Sequence, residues 1–280
     1  MNNEEKKESL KKQVLAKLFS ICEIRGDFVF DNDLVKQVIS EMESEKKFKN
    51  PFDVTKVDRR DLLPKIMLKK NFAVIHLGNG AHRFIEGVEH VSHDFEPVQK
   101  EFEWKYRKSI LNEYNTSESN ILSVANNQRI LHHFTFGQDR ELEDEDVSKR
   151  PKTYFPHRTK ANLRYNFGEE IEIELYRMQI EIDLTIEFNG TIAVFEAKNG
   201  KPDNFSVYQI YHPFLYYQEA KKKVEMNDKI KDIVCVYVVK QKQRDTTKLS
   251  LWKYTFDRPN DITSIKFLKS ACYNLKKEDE

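Results

Sequence analysis

YRMQIEIDLTIEFNGTIAVFEAKNG runs from Tyr176 to Gly200. Its apolar residues Tyr176, Met178, Ile180, Ile182, Leu184 and Ile186 alternate with polar ones, the period-two mark of a half-buried strand. Asn189-Gly190 is the strongest short signal for a hairpin, a two-residue type I′ turn. With a loop of those two residues, Phe188 opposes Thr191, which sets Asp183 against Glu196 and Glu181 against Lys198. On the other face Leu184 meets Phe195, Ile186 meets Ala193 and Ile182 meets Ala197. One face is apolar and able to pack on a helix, while the other gathers three carboxylates and a lysine.

Opposed carboxylates have Cβ atoms about 4.5–5.5 Å apart, and like charges so placed are destabilising. A divalent cation between them answers the cost, because a hard ion such as Mg²⁺ takes carboxylate oxygens together with waters and substrate phosphate. An ammonium one pleat along, at Lys198, can orient or help deprotonate an attacking water and can stabilise charge on a phosphate. The competing reading is a solvent-facing hairpin of mixed charge, which antiparallel sheets often carry.

Asp183 followed by Glu196-Ala197-Lys198 resembles the PD-(D/E)XK nuclease signature, and the two-part layout resembles a type II restriction endonuclease. The resemblance implies a restriction-endonuclease-like α/β fold, a mixed sheet flanked by helices. It further implies Mg²⁺-dependent hydrolysis of phosphodiester bonds in double-stranded DNA at a short specific sequence, by in-line displacement that leaves a 5′-phosphate. Mn²⁺ would substitute for Mg²⁺. Asp183 and Glu196 match the metal ligands, the Ala197 carbonyl a third, backbone ligand, and Lys198 the catalytic lysine. A homodimer on a palindromic site is the corresponding assembly. Glu118 corresponds to the extra acid that some members send from the first core helix, although stabilisation of a helix N-terminus explains it equally well. Two positions depart from the pattern. Ile182 stands where the name-giving proline would be, and Pro213 follows Gln209 by four, so the RecB-like Gln-x-x-x-Tyr motif is absent. A nuclease of another role, in repair or in defence against mobile DNA, fits the same residues.

Outward from the hairpin, Ser117 or Ser119 can cap a helix reaching about Phe134, with Ile121, Leu122, Ala125, Ile130, Leu131 and Phe134 as its apolar side. Gln138 to Val147 is acidic and reads as an exposed loop. A helix from about Ser206 to Val224 follows the hairpin, with Ser206 and Gln209 as a capping box and a bend at Pro213. Ile233 to Val239 is a continuous apolar run, hence a strand buried on both faces, and Leu249 to Phe256 is another strand. Residues 96–280 form the expected catalytic domain and residues 1–95 a smaller helical one. The latter reads helix, strand, helix, helix, strand, turn, strand, an order that resembles winged-helix domains. Its third helix would carry Lys56, Arg59, Arg60 and Lys65 toward DNA; an ordinary helical subdomain is the alternative. His90, His93 and Asp94 lack a further ligand and read as a polar loop. His132-His133 cannot both face one ligand on a helix, and Gly78-Asn79-Gly80 is a turn, not a phosphate loop.

The chain has 280 residues, 39% hydrophobic and 33% charged, with 19 Phe and 12 Tyr to fill a core, which excludes wholesale disorder. Three cysteines far apart exclude a disulfide framework. No apolar run reaches membrane length and the charged start is no signal peptide, so the expectation is a soluble cytoplasmic protein. Net charge is only +1, so any grip on nucleic acid must be local. Lys149 to Gly168 holds six basic residues and no acidic one. Lys152, His157, Arg158, Lys160 and Arg164 are its candidate DNA contacts, and a solvated surface is the alternative.

Overall fold

The computed structural model describes residues 9–42, 48, 50–106, 109, 117–137, 150–200, 202–243 and 246–277. The expected loop from Gln138 to Val147, and Lys149, lie outside them. Helix α1 (Leu10–Arg25) stops at Gly26, whose left-handed conformation a side chain would strain. Strand β1 (Val29–Asp31) leads into α2 (Asn32–Glu41), capped by the Asp31 carboxylate, which accepts from the Asp33 and Leu34 N–H groups at 3.1 and 2.9 Å. The third helical segment expected between Asp58 and Lys70, with Pro64 to kink or interrupt it, is interrupted there. A short α3 (Phe52–Thr55) precedes it, a 3₁₀ turn covers Arg60–Leu62, and Pro64 caps the one-turn α4 (Lys65–Lys69). Proline has no N–H to give inside a helix and holds its predecessor extended, so the segment restarts there. Strands β2 (Phe72–Gly78) and β3 (Ala81–Glu86) then pair around the expected turn, giving a sheet of order β1-β3-β2. The short α5 (Val88–Val91) and β4 (Ser92–Asp94) close this half.

After β5 (Glu101–Tyr106), the helix expected from Ser117 to Phe134 appears as two, α6 (Glu118–Asn127) and α7 (Ile130–Phe136). Arg129 between them is left-handed, and the Gln128 carbonyl freed by the break accepts from Trp104 Nε1 at 2.9 Å. The rest is β6 (Lys152–Tyr154), β7 (His157–Phe167), β8 (Ile171–Ile182), β9 (Leu184–Phe188), β10 (Thr191–Asn199), β11 (Asn204–Ser206), α8 (Tyr208–Lys221), β12 (Asp232–Gln243), β13 (Thr246–Phe256) and β14 (Ile265–Lys277). The expected capping box of α8 does not form. Ser206 belongs to β11 and donates its hydroxyl to the Val57 carbonyl at 2.7 Å, while Gln209 reaches elsewhere.

A seven-stranded sheet runs β5-β14-β13-β12-β10-β9-β6, parallel at β10/β12 and β14/β5 and antiparallel at its other contacts. The protein is thus mixed α/β, with a large mixed sheet flanked by helices. Burial on both faces of β12 explains its apolar run. Val234, Val236 and Val238 face α6 and α7, whereas Ile233, Cys235, Tyr237 and Val239 face α8. The second of these clusters also contains Val14, Leu18, Val35, Phe84 and Val91, so the N-terminal elements pack into the core under α8. Among the described residues, no helix is long and apolar enough to cross a membrane.

Candidate active site

The Asn189-Gly190 turn forms as its chemistry requires, both residues at positive φ, and the pairs Phe188/Thr191, Ile186/Ala193 and Leu184/Phe195 follow. Pairing then ends one step short of the expected Asp183–Glu196 pair. At Asp183 the chain bends out of the large sheet, and β8 pairs with β7 in a separate ribbon. Two expected oppositions are thereby corrected: Ile182 lies across from His157, not Ala197, and Glu181 lies across from Arg158, not Lys198. The departure frees one edge of β10. Asp183 fills part of it, its carboxylate accepting from the Ala197 N–H at 3.2 Å. N–H and C=O of one strand residue point to the same edge, so the Ala197 carbonyl shares that edge with Asp183.

Glu196 and Lys198 both rise from the face of β10 opposite Ala197. Lys198 Nζ lies 2.9 Å from Glu196 Oε1 and 2.8 Å from Glu118 Oε1 at the start of α6. Glu196 also accepts from Gln209 Nε2 on α8 at 3.0 Å, and Gln209 Oε1 accepts from the Tyr237 hydroxyl at 3.4 Å. Burial pushes the Glu196 carboxyl up to about 8; Lys198 opposes the rise, and Asp183 and Glu118 add to it. Burial likewise raises Asp183. For Lys198 burial pulls downward, but Glu196 and Glu118 outweigh it and hold the ammonium above its ordinary value. Lys198, bonded to both Glu118 and Glu196, is therefore suited to act as a donor and charge stabiliser rather than as a base.

These side chains line a cleft of about 620 Å³ between the β7–β8 ribbon, the head of α8 and the β2–β3 turn. The wall from the N-terminal half carries uncharged rings. Burial pushes His76 down to about 3 and His82 to about 4; on α8 it likewise lowers His212 to about 4. The cleft gathers Asp183, Glu196, Lys198, Glu118, Glu181, Lys160 and Lys56 from the residues singled out in the sequence. Lys152, His157, Arg158, Arg164, Arg59, Arg60 and Lys65 lie outside its lining.

Lack of an acidic partner was the argument for the basic segment, and it does not hold. The partner strand β8 supplies the acids: Arg158 pairs with Glu181, and Arg164 with Glu174 and with Glu172 at 3.4 Å. Lys152 lies 3.7 Å from Glu187. In the N-terminal half Arg59 pairs with Asp61 and Arg60 with Asp94. His93 bonds Glu96 at 2.9 Å, and the expected polar loop is corrected: His90 lies in α5, and His93 and Asp94 lie in β4, paired with β11. Gln209, Arg177 and the histidine wall were missed. Gln209 sits where a capping residue would, and nothing in its neighbours signals a bond to a strand thirteen residues earlier.

Among the described residues, no group of three or more His, Cys, Asp or Glu side chains is arranged to hold a metal ion. The set that fits a hard cation is smaller: the Asp183 and Glu196 carboxylates and the Ala197 carbonyl, with Lys198 standing beside them. Mg²⁺ binds through one or two carboxylates plus waters and substrate phosphates. Two buried carboxyls raised by desolvation are the donor chemistry such an ion satisfies.

A family model described as Domain of unknown function (DUF6997) matches residues 88–274, well over half of the chain. The chain belongs to the DUF6997 family. A second model, Domain of unknown function (DUF6996), matches residues 12–84. No curated protein and no solved structure matches. Glu118, Asp183, Glu196 and Lys198 thus fall in the DUF6997 segment, and His76, His82 and the β2–β3 turn in the DUF6996 segment.

Proposed function

We propose that the protein is a Mg²⁺-dependent endonuclease of the PD-(D/E)XK type that hydrolyses phosphodiester bonds of double-stranded DNA, as a type II restriction enzyme does. The observation that carries this reading is the end of the β9–β10 hairpin. There the chain leaves the sheet at Asp183, whose carboxylate takes the Ala197 N–H at the vacated edge of β10, and Asp183, Glu196 and Lys198 line a cleft. Asp183, Glu196 and the Ala197 carbonyl would hold the cation, which when bound supplies charge to a phosphate oxygen and lowers the pKa of water. Lys198, kept protonated between Glu196 and Glu118, orients the attacking water and offsets charge building on the phosphate. Gln209 fixes the Glu196 carboxylate from α8. The N-terminal elements resemble a winged helix in order, and a homodimer would present two such centres to a palindrome. Digestion of mapped phage or plasmid DNA with Mg²⁺ tests the reading: discrete fragments that the Asp183→Ala variant does not produce support it. Absence of cleavage of any DNA leaves a non-enzymatic DNA-binding protein with a structural hairpin.

A further inference from the structure

The β7–β8 ribbon contains one irregularity, and it changes which side chains face the cleft. From the turn outward, Phe167 pairs with Ile171 and Leu163 with Leu175; beyond it, Ala161 pairs with Met178. Tyr176 and Arg177 together therefore oppose Asn162, the two-against-one pattern of a β-bulge. Arg177 takes the left-handed conformation (φ 49°), and its N–H donates to Asn162 Oδ1 at 2.8 Å. A non-glycine residue in that region carries a backbone cost, which a surrounding structure must hold in place. The N-terminal half supplies the hold: a Cβ on Gly78 would lie 2.2 Å from the Tyr176 carbonyl oxygen, so the β2–β3 turn presses directly on the bulge.

Parity gives the consequence. Before the bulge the exposed residues of β8 are Glu172, Glu174 and Tyr176; after it they are Arg177, Gln179 and Glu181. One extra residue exchanges the two faces of a strand, so without the bulge Arg177 would share a face with Leu175. With it, Arg177 stands diagonally from Lys160, which pairs with Gln179, and both line the cleft. Arg158 on the same face is neutralised by Glu181, and Arg164 by its two glutamates. Among the described residues, the guanidinium of Arg177 and the ammonium of Lys160 have no carboxylate partner.

We infer that Arg177 and Lys160 form a phosphate-binding subsite that holds the backbone of the nucleic-acid strand away from the reacting phosphodiester. The assignment rests on the nuclease reading. At about 3.3 Å per residue, Arg177 is roughly 20 Å along the strand from Asp183, several phosphates from the chemistry. The two residues position substrate and take no part in bond breaking.

The test is equilibrium binding of a fluorescently labelled DNA duplex, measured by anisotropy in EDTA over a KCl series. Circular dichroism checks that each variant is folded. Arg177→Asn keeps a residue type tolerant of the left-handed backbone. It and Lys160→Gln should each weaken binding and lower the salt slope by about one, and the double variant by about two. Arg177→Lys should restore most of the slope, and Arg164→Gln should change it less than either. In Mg²⁺ cleavage, Arg177→Asn should raise KM with kcat nearly unchanged. An unaltered salt slope in Arg177→Asn overturns the subsite, even if the protein cuts DNA. Slopes that fall as stated in a protein that cuts nothing overturn the nuclease reading and leave the subsite standing. A parent protein that binds no DNA at low salt overturns the subsite.

Discussion

Replacing Glu196 with Gln should remove the pH dependence that this one carboxyl imposes on stability. In the folded protein burial raises it from 4.5 to about 8. A carboxyl whose folded pKa exceeds its unfolded value binds its proton more tightly when folded. Its contribution is therefore complete below about 4.5 and is lost as pH rises through about 8. At pH 7 the cost is about 2.5 units of protonation free energy, or ~3 kcal/mol at 1.36 kcal/mol per unit. Only 14% of this side chain is exposed, so solvent screening removes little of the figure. Glutamine keeps the shape and the bond to Gln209 but has no proton to lose. At a few degrees per kcal/mol for a chain of this size, the melting temperature of Glu196→Gln should gain roughly 6–12 °C on the parent between pH 4.5 and pH 7. The assay is thermal unfolding in EDTA across that range for both proteins. Parallel pH profiles would refute the reasoning, because they would mean that Glu196 is already a stable anion, satisfied by Lys198 alone.

The same raised carboxyl couples cation binding to protons: adding Mg²⁺ at pH 7 should release on the order of one proton, seen as a dependence of the calorimetric heat on buffer ionisation enthalpy. No such dependence would exclude Glu196 as a ligand. Lys198→Ala and Asp183→Ala should each reduce cleavage at least ~100-fold in folded protein, whereas Glu181→Ala, tied to Arg158 on the ribbon, should change it only a few-fold. Wild-type rates in either of the first two variants would return that residue to a structural role. Gly78→Ala forces a Cβ onto the Tyr176 carbonyl at φ +86°, and should cost at least about 2 kcal/mol in urea unfolding.

The hairpin could be read because its register depends on two adjacent residues, Asn189 and Gly190, whose backbone preference admits one turn geometry. The β12 run was equally plain, since a strand covered on both faces carries no polar alternation. What escaped was non-local. Alternation from Tyr176 to Ile186 looks continuous in sequence, yet it spans a bulge at Arg177, a bend at Asp183 and a change of sheet. Nothing in the side-chain pattern marks those breaks, because they are imposed by β7 and by the β2–β3 turn. The partners of Arg158 and Arg164 lie across a ribbon whose register shifts at that bulge, so a count along the basic segment alone finds no acids. Gln209 and Ser206 have capping-box spacing, but tertiary acceptors at Glu196 and Val57 outbid the local one. Likewise β14, thirteen residues that pair with β13 and β5, has a mixed sequence in which burial shows only once its neighbours are in place.

The apolar cluster shared by the N-terminal elements and the α8 face bears on how the molecule can change shape. Val14, Leu18 and Phe84 belong to one continuous interior with Tyr211 and Tyr237, so the two segments matched by separate family models are not modules on a hinge. Prising them apart would expose aromatic surface on α8 and release the bulge that Gly78 holds from behind. Opening the mouth of the cleft would therefore disrupt that shared interior, which puts the work of fitting on whatever enters it. For the proposed nucleic-acid substrate, a stiff duplex would have to bend, unwind locally or present an end, and its mechanical compliance would help decide how readily it is accepted.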